Sequence, residues 1–163
     1  MAFDILTFSD KIKTLIDDNN TTTSSYDVSG SLKTRIQKVT VGYHRFKPIP
    51  LIDYPCIWVE PVHRSNDFSE IGNSANRNMN MDYDIVGITN EGLGYANGRE
   101  TADREMLQLE SNLELLFRNY PRLSNTAQVL WSLVTDVSFD VSEFNDTYNS
   151  MAILRLNIQV KSN

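Results

Sequence analysis

Two stretches toward the C-terminal end leave the chain little choice of architecture. Val129, Trp131, Leu133, Thr135, Val137, Phe139 and Val141 alternate with Ser132, Asp136, Ser138 and Asp140, and Ala152, Leu154, Leu156, Ile158 and Val160 repeat the pattern. Alternation puts apolar side chains on one face of a strand and polar ones on the other. The two strands are expected to form an antiparallel hairpin around Asn145-Asp146, with Phe139 opposite Leu154 and Val137 opposite Leu156. That register sets Arg155 diagonally between Asp136 and Asp140 on the polar face. A sheet with one polar face needs a single layer of helices on the other.

Two segments can supply that layer. From Asp4 to Asn19, Ile5, Phe8, Ile12, Leu15 and Ile16 recur at helical spacing, while Asp10, Lys11, Lys13 and Asp17 fall elsewhere. From about Arg99 to Asn119, Ala102, Met106, Leu109, Leu113, Leu116 and Phe117 make one stripe, and Tyr120-Pro121 ends it. Three more strands are expected between the helices. Val39, Val41 and Tyr43 alternate with Lys38, Thr40 and His44, in a strand ending near Phe46 before Pro48 and Pro50. Cys56 to Val59 is a short apolar run suited to an interior strand covered on both faces. Asn78 to Thr89 sets Met79, Met81, Tyr83 and Ile85 against Asn78, Asn80, Asp82 and Asp84. The fold class that follows is α+β: a two-layer sandwich of a mainly antiparallel four- to five-stranded sheet with two helices on one face. Residues 1–163 form one domain, with flexible segments at about 20–31 and 62–77.

Composition narrows the functions. A single Cys56 forms no internal disulfide, and two histidines, His44 and His63, are few for a transition-metal site. No metal or cofactor is expected, and Cys56 reads as an inert buried thiol. No apolar run approaches the roughly 20 residues that cross a bilayer, and the start Met-Ala-Phe-Asp-Ile-Leu lacks a cationic leader and a cleavable apolar region. The chain is therefore expected to stay where it is made. A net charge of −6 opposes non-specific binding to phosphate backbones. Yet no acid lies between Asp27 and Asp53, where Lys33, Arg35, Lys38, Arg45 and Lys47 cluster. Such a stretch is either a solvated strand edge or an interface.

Enzyme-like motifs are incomplete. Gly92, Gly94 and Gly98 follow a strand and open a helix, but the third glycine comes one position late for a dinucleotide fingerprint and no Lys-Ser/Thr follows. Glu100 and Asp103 would repel a phosphate there. Asp82 with Asp84, and Asp136 with Asp140, read as the solvated half of alternating strands. There is no Gly-x-Ser-x-Gly, and Met79, Met81 and Met106 suit core filling.

The element order resembles the tail terminator, or tail-completion, proteins of long-tailed bacteriophages, a family that includes minor tail proteins. The likeness rests on the N-terminal amphipathic helix, the basic strand Gln37-Lys-Val-Thr-Val-Gly-Tyr-His-Arg-Phe and the strand Asp53-Tyr-Pro-Cys-Ile-Trp-Val. It continues through the long arm after that strand, the helix from Ala102 to Phe117 and the closing hairpin. The resemblance implies a structural virion protein and not an enzyme: a homohexameric ring on the head-proximal end of the tail tube, formed in the host cytoplasm, that stops tube growth and meets neck proteins of the capsid. Lys33, Arg35, Lys38, Arg45 and Lys47 are then expected to face Glu100, Glu110 and Glu114 of the next subunit. His63, Arg64, Asp67, Phe68 and Glu70 of the arm would grip the tail tube, and Asp82, Asp136 and Asp140 would line the lumen, letting DNA pass without sticking. Another neck, head-completion or baseplate protein is the alternative within this class. A small nucleotide-binding module or enzyme is the alternative outside it.

Overall fold

The computed structural model describes residues 4–24, 26–30, 32, 34–46, 49–67, 78–92, 98–144 and 147–161. Helix α1 spans Ile5–Asp18, followed by strand β1 at Lys38–Val41 and β2 at Cys56–Asp67. Strand β3 covers Asn78–Asn90, helix α2 Gly98–Asn119, β4 Val129–Phe144 and β5 Thr147–Lys161. The strands form one sheet in the order β1-β2-β3-β5-β4. Every pairing is antiparallel except β1 with β2, which is parallel. The structure is thus the α+β sandwich read from the sequence, with five strands and two helices.

β3 and β5 hold the centre through an unbroken ladder from Asn78↔Lys161 to Asn90↔Asn149. Its inward rows are Met79, Met81, Tyr83 and Ile85 on β3 and Ala152, Leu154, Leu156, Ile158 and Val160 on β5, all buried. The stripes of both helices join this core: Phe8, Ile12, Leu15 and Ile16 from α1, and Met106, Leu109, Leu113, Leu116 and Phe117 from α2. Helix α1 lies over β1 and β2, and α2 over β3, β5 and β4. At Gly87 the sheet and α2 meet so closely that a Cβ would stand 3.0 Å from Leu109 Cδ2. Full burial of one such leucine or isoleucine contributes about 1.5–3 kcal/mol, so this interface dominates the fold.

Several elements depart from the sequence reading. β1 stops at Val41 rather than near Phe46, because Gly42 takes a positive φ and His44–Phe46 coils into a 3-10 turn. The segment from Val62 that read as a flexible connection is strand as far as Asp67, paired with β3 from His63↔Asp82 to Asp67↔Asn78 after a bulge at Val62. The rest of that connection, 68–77, lies outside the described residues. β4 carries two bulges, at Leu130 and Thr135, and each switches faces. Val129, Val134, Val137, Phe139 and Val141 therefore share the helix side, while Trp131 and Leu133 turn to the polar side. The register next to the turn also differs by two from the expected one, because the hairpin closes on Phe144↔Thr147: Phe139 faces Ala152, Val137 faces Leu154, and Arg155 lies directly opposite Asp136. β4 and β5 close on Phe144↔Thr147, and Asn145-Asp146 lies outside the described residues.

The polar face is not polar throughout. The connection between β1 and β2 covers one end of it, where Tyr54, Cys56, Val86, Ile88 and Met151 form a second small core with Ile49, Trp58 and Ile153. Cys56 is thereby buried on the side away from the helices.

The polar segment after α1 is folded where it is described. Asn19 is buried, donates to Leu15 O at 2.8 Å and accepts from Ser24 Oγ at 2.6 Å, and its carbonyl accepts from Val28 N at 2.7 Å. Asn112 of α2 donates to Val28 O at 3.0 Å, and Tyr26 meets Tyr120 edge-on with ring centroids 5.4 Å apart. This segment ties the two helices together. Gly30, at φ +42°, closes it with Asn112 Nδ2 only 2.6 Å from where a Cβ would sit. Gly30→Ala should lower stability by about 1–2 kcal/mol through left-handed backbone strain alone, read as a drop in urea midpoint; an unchanged midpoint would show that the tie carries no stability.

Candidate functional site

The surface offers three features from which function can be built: a polar sheet face, two sheet edges of opposite charge, and a groove beside β4. On the polar face the register aligns Asp84, Arg155 and Asp136 across β3, β5 and β4. Arg155 grips Asp84 in a two-point ion pair, Nε to Oδ1 at 2.5 Å and Nη2 to Oδ2 at 3.0 Å. This hydrogen bonding, with the fields of Asp84, Asp82 and Asp136, pushes the Arg155 pKa above its ordinary value. Asp82 accepts from Asn157 Nδ2 at 2.6 Å. Asp82, Asp136 and Asp140, the expected lumen residues, do share this face. Asp140 stands opposite Met151 near the far end of β4.

The two charged sets expected to meet across subunits lie on opposite sides of one subunit, β1 beside α1 and the acids on α2. Lys38 Nζ is 2.7 Å from Asp53 Oδ2, and Arg35 donates to Asn20 O at 3.0 Å. Arg45 is exposed on its 3-10 turn. Lys33 and Lys47 lie outside the described residues. On α2, Glu100 pairs with Arg104 at 2.9 Å and Glu114 with Arg118 at 2.6 Å. Glu110 accepts from Ser111 Oγ at 3.2 Å. The two i,i+4 pairs already partner Glu100 and Glu114, each for about a few tenths of a kcal/mol. Of the arm residues, His63 and Arg64 are exposed on β2 and Asp67 ends that strand. Phe68 and Glu70 lie outside the described residues.

Sequence reasoning missed two features. Glu60 is buried near the end of the apolar run, and one of its oxygens, Oε1, receives His44 N at 2.7 Å and meets His44 Nδ1 at 2.6 Å. The acid directly after Val59 is the only trace of this in the sequence; its partner is 16 residues away. The second is the outer edge of β4. No strand among the described residues pairs there, and Leu133 is 58%, Phe139 54% and Val141 57% exposed. Phe139, Asp140 and Val141 line a groove of about 340 Å³ with Asp103, Met106 and Leu107 of α2 and Tyr148 and Ser150 of β5. Tyr148 donates to Asp103 Oδ1 at 2.9 Å in its wall.

Around the glycine loop, Glu91 accepts from Tyr148 N at 2.8 Å and lies 3.4 Å from Arg99 Nε. A carboxylate thus stands beside the start of α2. Residues 93–97 lie outside the described residues. Among the described residues no three His, Cys, Asp or Glu side chains gather as a metal would require, and no helix is long and apolar enough to cross a membrane. No protein-family model matches the chain, and no curated protein matches it in sequence.

Burial pushes the Cys56 thiol up to about 12, with Asp53 adding to the shift against Trp58 and Lys38. Burial likewise raises Tyr54 and Tyr83 to about 12. All three keep their protons in the folded chain at a pH where the unfolded chain releases them. Their contribution is therefore complete below about pH 9 and is lost as pH rises toward 12. Urea midpoints measured from about pH 8 to 11 should fall steadily, and Cys56→Ala should flatten the first part of the slope. A pH-independent midpoint would contradict the burial of these groups.

Proposed function

We propose that the chain is a structural subunit of a long-tailed phage particle that caps the head-proximal end of the tail tube as a ring, ends tube growth and presents a surface to the capsid neck. The observation that carries this reading is the outer edge of β4. Of the eleven large hydrophobic side chains exposed among the described residues, four lie on this strand: Trp131, Leu133, Phe139 and Val141. Edge strands of monomers are usually kept short, charged or covered. Pro121 O accepts from Ser132 N near the start of this 16-residue strand, but past the bulge at Thr135 the edge runs on with Phe139 and Val141 open, and such apolar side chains fit a surface that another subunit covers.

The resemblance in element order adds the place in the particle. A subunit at the end of a tube needs one surface for its neighbours, one for the tube and one for the neck. The edges of the sheet serve the first. His63 and Arg64 at the exposed end of β2 serve the tube, together with Asp67, Phe68 and Glu70 beyond them. Asp82, Asp136 and Asp140 give the polar face a negative field, which repels DNA phosphates and suits the wall of a channel that DNA passes through.

Adding the purified chain to polymerising tail-tube protein should shorten the tubes and leave a ring of about six subunits at one end, seen by electron microscopy. Tubes of unchanged length with bare ends would sink this reading.

A further inference from the structure

We infer that copies of this chain join head to tail in solution, the β4 edge of one against the β1 edge of the next, so that the acidic half of the contact is β4 and not the outer face of α2. This deepens the ring reading above and rests on it for its biological setting, though not for its test. β4 contains Asp136, Asp140 and Glu143 and no cation, whereas the run from Val28 to Ile52, which includes β1, contains no acid. β1 and β4 are the two outermost strands, so the opposite charges sit at opposite edges of one sheet. Lys38 pairs with Cys56 of the helix-distant core, which places it on the same face as Asp136 and Asp140. Asp53 and Asp27, at the ends of that run, meet Lys38 and Arg35 within the chain, while Arg45 stands exposed on the turn after β1; a copy translated and rotated into line brings that edge beside the acidic one.

Apolar surface matches as well. Just beyond β1, Tyr43 is 48% exposed and donates to Pro61 O of β2 at 2.8 Å, and Val62 next to it on β2 is 46% exposed. Across the sheet, Phe139 and Val141 stand open beside the groove under Leu107. β1 is only four residues long, so side chains rather than a long backbone ladder set the register. Pairing β4 with itself would instead set acids against acids, which antiparallel strands disfavour. Two different surfaces in contact make a heterologous interface, the kind that closes into a ring or runs on as a filament.

The test uses two full-length variants altered only at exposed positions. One carries Ser138→Lys with Asp140→Lys on β4; the other carries Arg45→Asp with Val62→Asp on the β1 side. Circular dichroism first verifies that both fold, and light scattering reports mass over a range of concentrations. The wild type should self-associate, and each variant alone should stay monomeric. An equimolar mixture should regain complexes holding both in equal number, because the unaltered β1 side of the first meets the unaltered β4 edge of the second. If the β1-side variant associates by itself, β4 pairs with β4 and the inference is wrong. It is also wrong if the wild type stays monomeric to its solubility limit, if both variants assemble like wild type, or if mixing yields nothing. A chain that fails here but still caps tubes would leave the ring reading standing.

Discussion

Burial of the inward rows of β3 and β5 beneath α2 is the interaction on which the rest of the molecule depends. The two strands pair without a break over their shared length, so every inward residue of one has an inward neighbour on the other. Gly87 lets α2 settle against this pair where a side chain would hold it off. With the centre fixed, β2 and β4 can only add outside it, and α1 can only cover what α2 leaves exposed. The polar face follows from the same rows, because each buried residue commits its neighbours in sequence to the other side.

Irregularity increases toward the edges. β2 carries one bulge and β4 two, whereas β3 and β5 have none between them. A central strand is bonded on both sides, and an inserted residue there would disturb two ladders. An outer strand disturbs one. The bulges of β4 turn Trp131 and Leu133 outward on the polar side and leave the stretch from Asp136 to Phe144 regular. That regular stretch carries the open apolar side chains and adjoins the groove.

How much of this could be read beforehand depended on how far each signal reached. The stripe of α2 and the alternation of β5 are local and periodic, and each of their expected inward residues is buried. β4 looked equally clear, but Val129, Trp131, Leu133, Thr135 and Val137 alternate across two bulges that leave no mark on the pattern. The link from Asn19 to Gly30 is held by buried and half-buried amides and hydroxyls, which have no period, so a polar composition concealed an ordered tie. The His44 to Glu60 pair joins residues that only the parallel connection brings together. Of the candidate surface, the charges were visible in the sequence. Which of them lie on edges and which already have partners on their own helix depends on the packing.

The connection between β1 and β2 covers only one end of the polar face. The sheet is therefore amphipathic along its strands as well as through its thickness: apolar and sealed at the Cys56 end, hydrated and acidic around Asp82. In any cyclic assembly whose strands run along the symmetry axis, rotation copies that difference around the axis without averaging it. The two rims are then chemically unlike, and a partner that docks on one finds no equivalent seat on the other.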